Sequence, residues 1–391
     1  MEVLLDLPIP ICKPLLPPAE SILPYLRRLD ASRIYSNFGP LVREFEARFA
    51  QSCSVKDLRL VTAANGTLAI QAALMARCKG VSQSRNLCLL PAFTFAATVT
   101  AVISAGLVPM FVDVDAATCV IDLDRLQDKE ILRRTAAVLT VASFGHLPDL
   151  VQCNAFEART GIPVIVDAAG CSDALLSGAV TSLEGATVAL SFHATKAFGI
   201  GEGGAVATSD ASLAHDIRTI TNFGFDADRV ARLPGINAKM SEYTAAVGLA
   251  LLDQWPEFRV RYSSVLASYR KHFAAIQNTG RFWLEPNWIT TYPHVIVRSE
   301  TERDRLMQAL KDAQIDSRRW WMDGCHNTPA YGNVARLPLP NTERWVANLV
   351  GLPLSVDLDD EKVRYIASKT IPFLSDDAEA SGNRKVGRVN P

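Results

Sequence analysis

From about residue 58 the hydrophobic residues fall into short unbroken runs, separated by longer stretches with a three-to-four-residue period. The runs at 58–62, 87–90, 109–114, 136–141, 164–166 and 187–190 are apolar on both faces and short enough to be buried strands. Between them, 66–78 and 95–106 have helical periodicity, and the second ends on a glycine. This alternation predicts an α/β fold: a large, mostly parallel central sheet with helices on both faces. Around 250–275 it gives way to a long helix. A strand at 293–297 and helices at 300–313 and 360–374 then predict a smaller carboxyl-terminal α/β domain.

Upstream, Leu41, Phe45 and Phe49 repeat at helical spacing after a turn at Asn37-Phe38-Gly39-Pro40. The prolines of 8–24 predict an extended arm rather than a core element. The expected division is an amino-terminal arm at 1–40, a large domain at 41–250 and a small domain at 251–375. The polar, aperiodic tail at 376–391 is expected to be disordered.

A formal net charge of −1 argues against a nucleic-acid binder, which needs a strong basic bias. No apolar run approaches the ~20 residues of a membrane helix, and the first residues do not read as a signal peptide. The eight cysteines have no metal-ligand or redox spacing, so they are expected to be reduced thiols of a cytoplasmic protein without a metal site.

In doubly wound sheets, ligands sit at the carboxyl ends of strands. Lys196 follows a predicted strand, in Ser191-Phe192-His193-Ala194-Thr195-Lys196, with a glycine-rich turn behind it. A lone lysine is usually a surface residue. One desolvated at a strand end can be neutral and nucleophilic, as Schiff-base formation with an aldehyde cofactor requires. Asp167 ends the run Pro163-Val164-Ile165-Val166-Asp167. It reads either as a helix cap or as the partner of a protonated pyridine nitrogen in pyridoxal 5'-phosphate (PLP). Asn65-Gly66-Thr67 joins a strand to a helix, where backbone N–H groups attract phosphate. Ser191 is a second phosphate ligand by position. Phe95 fits either a core position or a stacking one.

The order and spacing of these residues resemble the DegT/StrS-type nucleotide-sugar aminotransferases, PLP enzymes of fold type I, over nearly the whole chain. Pro8 to Pro14 and Asn37-Phe38-Gly39-Pro40 look like that family's arm and turn. Asn65-Gly66-Thr67 matches its phosphate loop, with Asn for the usual Ser; Thr94-Phe95 matches its Thr-aromatic pair. Asp167-Ala168-Ala169, the run 235–242 and Leu352-Pro353-Leu354 match later motifs. The resemblance implies that Lys196 forms the Schiff base, Asp167 holds the pyridine nitrogen and Phe95 stacks on the ring. Gly66, Thr67 and Ser191 would bind phosphate, with His193 on the cofactor side or in a packing role. Asn237 would reach the phosphate of a neighbouring subunit, which implies a homodimer with shared active sites. Two positions depart from the family: Gly170 stands where Gln usually serves the cofactor's phenolic oxygen, and Lys239 stands where Arg is common.

The implied reaction moves an amino group, with L-glutamate as donor, onto a nucleotide-linked keto-deoxy sugar such as dTDP-4-keto-6-deoxyglucose or its 3-keto isomer. Its products would serve O-antigen and lipopolysaccharide or glycosylated natural products. Phe38, Arg319, Trp320, Trp321 and His326 are the expected sugar-nucleotide contacts, though 318–321 equally suits a strand burying two aromatics. Two other readings stand beside this one: a non-catalytic PLP-fold sensor or scaffold, and an amino-acid-specific transaminase. The intact lysine and aspartate weigh against the sensor.

Overall fold

The computed structural model describes residues 7–82, 84–277 and 279–374; the predicted tail at 376–391 lies outside the described residues. The runs read as strands are strands: β1 (Arg59–Ala63), β2 (Leu87–Pro91), β3 (Val108–Val112), β4 (Thr135–Val141), β5 (Val164–Asp167) and β6 (Thr187–Ser191). Every residue of β2, β4, β5 and β6 is buried, which explains why their sequences do not alternate. To these the structure adds β7 (Gly204–Thr208), β8 (Phe282–Trp283), β9 (His294–Ile296), β10 (Ala335–Arg336) and β11 (Leu349–Gly351). The large sheet runs β1-β7-β6-β5-β4-β2-β3-β10, and a small antiparallel sheet runs β11-β9-β8. This is the large, mostly parallel sheet that the sequence pattern predicts.

β7 is the exception in direction, antiparallel to both β1 and β6. The other neighbours pair in parallel, so β1, β2, β5 and β6 end on the same edge. Ser191 pairs with Gly204 at the mouth of the β6–β7 connection. The connection therefore leaves and returns at that edge, and Lys196 stays there. Bonds from Phe192 N to Gly203 O, Ala194 N to Gly201 O and Ile200 N to Phe192 O, each 2.8 Å, hold its shape. Phe192 and Phe198, on either side of the lysine, sink into a buried cluster with Phe45 and Phe49 at ring separations of 5.6–6.3 Å. Such pairs each contribute about 0.5–1.5 kcal/mol beyond area burial, so the loop is anchored on both sides of its reactive residue.

The proline-rich segment departs from the reading as an extended arm. It is extended only as far as Pro18; Ala19–Ser32 is a helix with Pro24 inside it. Ile22, Tyr25, Leu26 and Leu29 lie on its packed side, a helical period that the density of prolines masked. Ile9 is also a core residue, bonded through N to Gln314 O and through O to Asp316 N.

The long helix is Glu242–His272, capped by Ser241 Oγ on Thr244 N at 3.1 Å, so the boundary expected at 250–251 falls inside it. Its first residue, Glu242, is fully buried and accepts from Leu41 N at 2.7 Å and Val42 N at 3.0 Å. One carboxylate thereby caps the helix Pro40–Gln51 from a distant part of the chain. A Cβ at Gly39 would lie 2.7 Å from the Glu242 Cδ, so the turn needs its glycine.

Candidate active site

Asp167 closes β5 and is buried. It caps no helix, since the next one begins at Ser172. Its Oδ2 accepts from Thr98 Oγ at 2.8 Å and its Oδ1 from Ala169 N at 3.2 Å. Thr98 in turn meets Thr94 at 2.8 Å, one helical turn earlier. Burial pushes the Asp167 carboxyl above its usual range, against these donors and the charge of Lys196. A buried carboxylate held by neutral donors is suited to a cationic partner.

Lys196 is partly buried and donates from Nζ to Tyr292 Oη at 2.5 Å. Burial disfavours its charge, but the Tyr292 oxygen and the Asp167 carboxylate outweigh that and hold the ammonium above its ordinary value. Tyr292, which the sequence reading lacked, thus acts on the charge of this nitrogen alongside desolvation. Asp167 and Lys196 feel each other's charge without forming an ion pair among the described residues.

Asn65 caps the helix Gly66–Arg77, its Oδ1 accepting from Leu68 N at 2.9 Å. That leaves the first N–H groups of the helix facing the sheet edge. Gly66 backs directly onto Ser191, where an added Cβ would stand 2.8 Å from the Ser191 Cβ. Gly204 lets the same loop pass, because a Cβ there would meet Asn65 C at 2.5 Å. This glycine-lined cradle at a helix start suits a phosphate, and the Asp167 carboxylate suits a pyridinium, so the residues present fit PLP. Gly66→Ala is expected to weaken cofactor binding by about tenfold or more, because the added methyl forces the loop away from Ser191 and misaligns its phosphate donors, measurable by equilibrium titration with PLP.

The other predicted residues are placed as follows. Phe95 is 63% exposed at the start of the helix Ala96–Ser104. His193 Nδ1 lies 2.9 Å from Thr195 Oγ, and its Nε2 faces Glu202. Asn237 is exposed, and its Oδ1 accepts from Lys239 Nζ at 2.7 Å. Phe38 is buried beneath the Arg218 guanidinium, 4.6 Å from the ring centre. The segment 318–321 is no strand; it makes one bridge, Arg318 to Gly351, and then turns. Arg319 pairs with Asp323 at 2.5 Å. Trp320 meets Tyr292 edge-on at 5.4 Å, while Trp321 stacks on Phe144 at 5.1 Å. His326 is buried, its Nε2 2.8 Å from Glu343 Oε1.

Sequence reasoning missed Thr98 and the segment between β8 and β9. That segment straps the site: Trp288 Nε1 donates to Gly145 O at 3.0 Å, Ile289 N to Asp173 Oδ2 at 2.8 Å, and Tyr292 meets Lys196. Thr98 was findable, one helical turn beyond Thr94 on the helix that follows β2, whose carboxyl end shares the sheet edge with that of β5. The strap lies 96 residues from Lys196 and had no local signal.

Comparisons with known proteins identify the family. The sequence model of the DegT/DnrJ/EryC1/StrS aminotransferase family matches residues 18–370. The chain is 28% identical over 369 residues to the dTDP-4-amino-4,6-dideoxy-D-glucose transaminase of Shigella dysenteriae, covering 93% of this chain and 98% of that one. It is 30% identical over 331 residues to the UDP-2-acetamido-2-deoxy-3-oxo-D-glucuronate aminotransferase of Pseudomonas aeruginosa, covering 84% and 90%. Among solved structures, DesI in the presence of its TDP-sugar product superposes with a TM-score of 0.82 at 33% identity, covering 97% of each chain. The chain thus belongs to the DegT/DnrJ/EryC1/StrS aminotransferase family of PLP-dependent enzymes.

Proposed function

We propose that this aminotransferase moves an amino group from L-glutamate onto the keto carbon of a nucleotide-linked deoxy sugar, dTDP-4-keto-6-deoxyglucose or its 3-keto isomer. The amino sugar produced would enter O-antigen and lipopolysaccharide or a glycosylated natural product. The observation that carries the reading is Lys196 on the sheet edge beside the buried Asp167, with the Gly66–Ser191 cradle on that same edge. The relatives named above, which act on nucleotide sugars, support the acceptor class.

When bound, PLP supplies an electron sink for the carbanion formed at the donor's alpha carbon. Lys196 would hold the cofactor's aldehyde carbon through Nζ and, when free, its amine would serve as the base and acid for the donor's alpha proton. Asp167, its Oδ2 oriented by Thr98, would favour a protonated pyridine nitrogen. Gly66, Thr67 and Ser191 would hold the phosphate, and Phe95 would pack against the ring. His193, bonded to Thr195, steadies the turn that carries the lysine. Glutamate leaves as 2-oxoglutarate, and the keto sugar then takes up the nitrogen by the same steps reversed.

We assign sugar-nucleotide binding to Phe38, Arg319, Trp320, Trp321 and His326. Asn237 completes the phosphate cradle of a second copy of the chain. The exposed rings of Phe223 and Tyr243 support a homodimer, since large apolar groups in the open suit an interface. We assign the arm to 1–40, the large domain to 41–250 and the small domain to 251–375, and the enzyme to the cytoplasm. Among the described residues no helix is long and apolar enough to cross a membrane.

The test offers keto acids and a panel of nucleotide keto sugars side by side with ¹⁵N-glutamate, and analyses the products by mass spectrometry. Label is expected in an amino sugar. Label found only in amino acids would make this an amino-acid transaminase instead.

A further inference from the structure

Gly170, three residues beyond Asp167, presents no side chain to the site. The space beside it is filled from elsewhere: a Cβ built on Gly170 would stand 2.8 Å from Tyr292 Cε2. Tyr292 is well fixed. Trp320 meets its ring edge-on at 5.4 Å, its carbonyl lies 2.9 Å from the Nδ1 of buried His294, and Ile289, three residues earlier, is bonded to Asp173. Its hydroxyl is 2.5 Å from Lys196 Nζ, and no other side chain bonds that nitrogen among the described residues. We infer that Tyr292 is a catalytic residue of this enzyme, which governs the proton on the Lys196 nitrogen and occupies the place that Gly170 leaves open.

The argument rests on the cofactor reading above and on the covalent structure of PLP. The 3-oxygen of its ring lies one carbon from the carbon that bears the aldehyde. When that aldehyde is joined to Lys196, the nitrogen and the 3-oxygen share one proton. A hydroxyl fixed at the nitrogen is within reach of both. Toward a free ammonium it accepts, as seen here. Toward a lysine joined to the cofactor it donates to the 3-oxygen, reduces the charge there and weakens its hold on the shared proton. The nitrogen then gives up that proton at lower pH than it would without the tyrosine. The other titratable groups whose charge reaches Lys196 are Asp167 on β5, Cys171 just beyond it and Cys12 from the arm; Arg318 acts on Cys12 in turn. None is placed to make the same bond.

The test titrates the visible absorption of the resting, PLP-loaded protein with pH, a readout independent of turnover. Tyr292→Phe keeps the ring and its packing, and is expected to move the midpoint upward by about one pH unit. Gly170→Ala, which crowds the ring, is expected to move the wild-type midpoint in the same direction and to add nothing in the Tyr292→Phe background. An unmoved midpoint in Tyr292→Phe, or a Gly170→Ala shift of equal size with and without the hydroxyl, overturns the inference while leaving the cofactor reading intact. A wild-type protein with no visible band when supplied with PLP overturns both.

Discussion

Lys196→Ala is expected to lower kcat by roughly 10⁴-fold or more, because one substitution removes both the covalent holder and the proton carrier. The nitrogen it deletes is the one that Tyr292 contacts and that the charge of Asp167 stabilises. No neighbouring side chain among the described residues is placed to substitute for it. His193 is turned toward Thr195 and Glu202. The phosphate cradle and Asp167 are untouched, so PLP should still bind, but without the absorption of the lysine-bound form. Spectral titration beside a steady-state assay checks both halves. A variant that retains that absorption has its cofactor on another lysine.

Asp167→Asn is expected to divide activity from stability. An amide cannot hold a proton on the pyridine nitrogen, so kcat should fall by roughly 10²–10³-fold, the scale for losing one fixed electrostatic partner of a developing charge. The empty protein should respond oppositely. Burial raises the Asp167 carboxyl in the folded state. Between its unfolded and folded values the native chain therefore binds more protons than the unfolded chain, and stability falls as pH rises through that window. Asparagine removes this dependence, so the empty variant should melt at least as high as the wild type at neutral pH. Added PLP should raise the melting temperature of the wild type more than that of the variant. If the empty variant is the less stable of the two, the carboxylate is satisfied as it stands and needs no cation.

Much of this centre was legible in the chain because it is built at strand ends, where a run of apolar residues stops on a polar one. Asp167 and Ser191 are the last residues of β5 and β6. Asn65-Gly66 follows β1 closely, and Lys196 sits in a connection whose ends are paired strands. What escaped was of two kinds. β7 begins in a glycine run that reads as a turn, and β8, β10 and β11 are only two or three residues long, too short for any period. Tyr292 escaped because its meaning is tertiary: the sequence displays a missing side chain at 170, and only the fold shows what fills the gap. For the same reason the sequence did not show which groups besides desolvation act on the charge of Lys196.

The Glu242 cap carries a consequence for the birth of the molecule. Leu41 and Glu242 are 201 residues apart, and β1 meets its partner β7 only after residue 204 has been made. At about 5–20 residues per second, a ribosome needs roughly ten to forty seconds to travel from one end of that bond to the other. Throughout that interval the helix Pro40–Gln51 has no cap, and for the earlier part of it β1 lacks its partner strand. The nascent amino-terminal part is thus a natural client for chaperones, and slow codons placed ahead of residue 242 would lengthen its exposure.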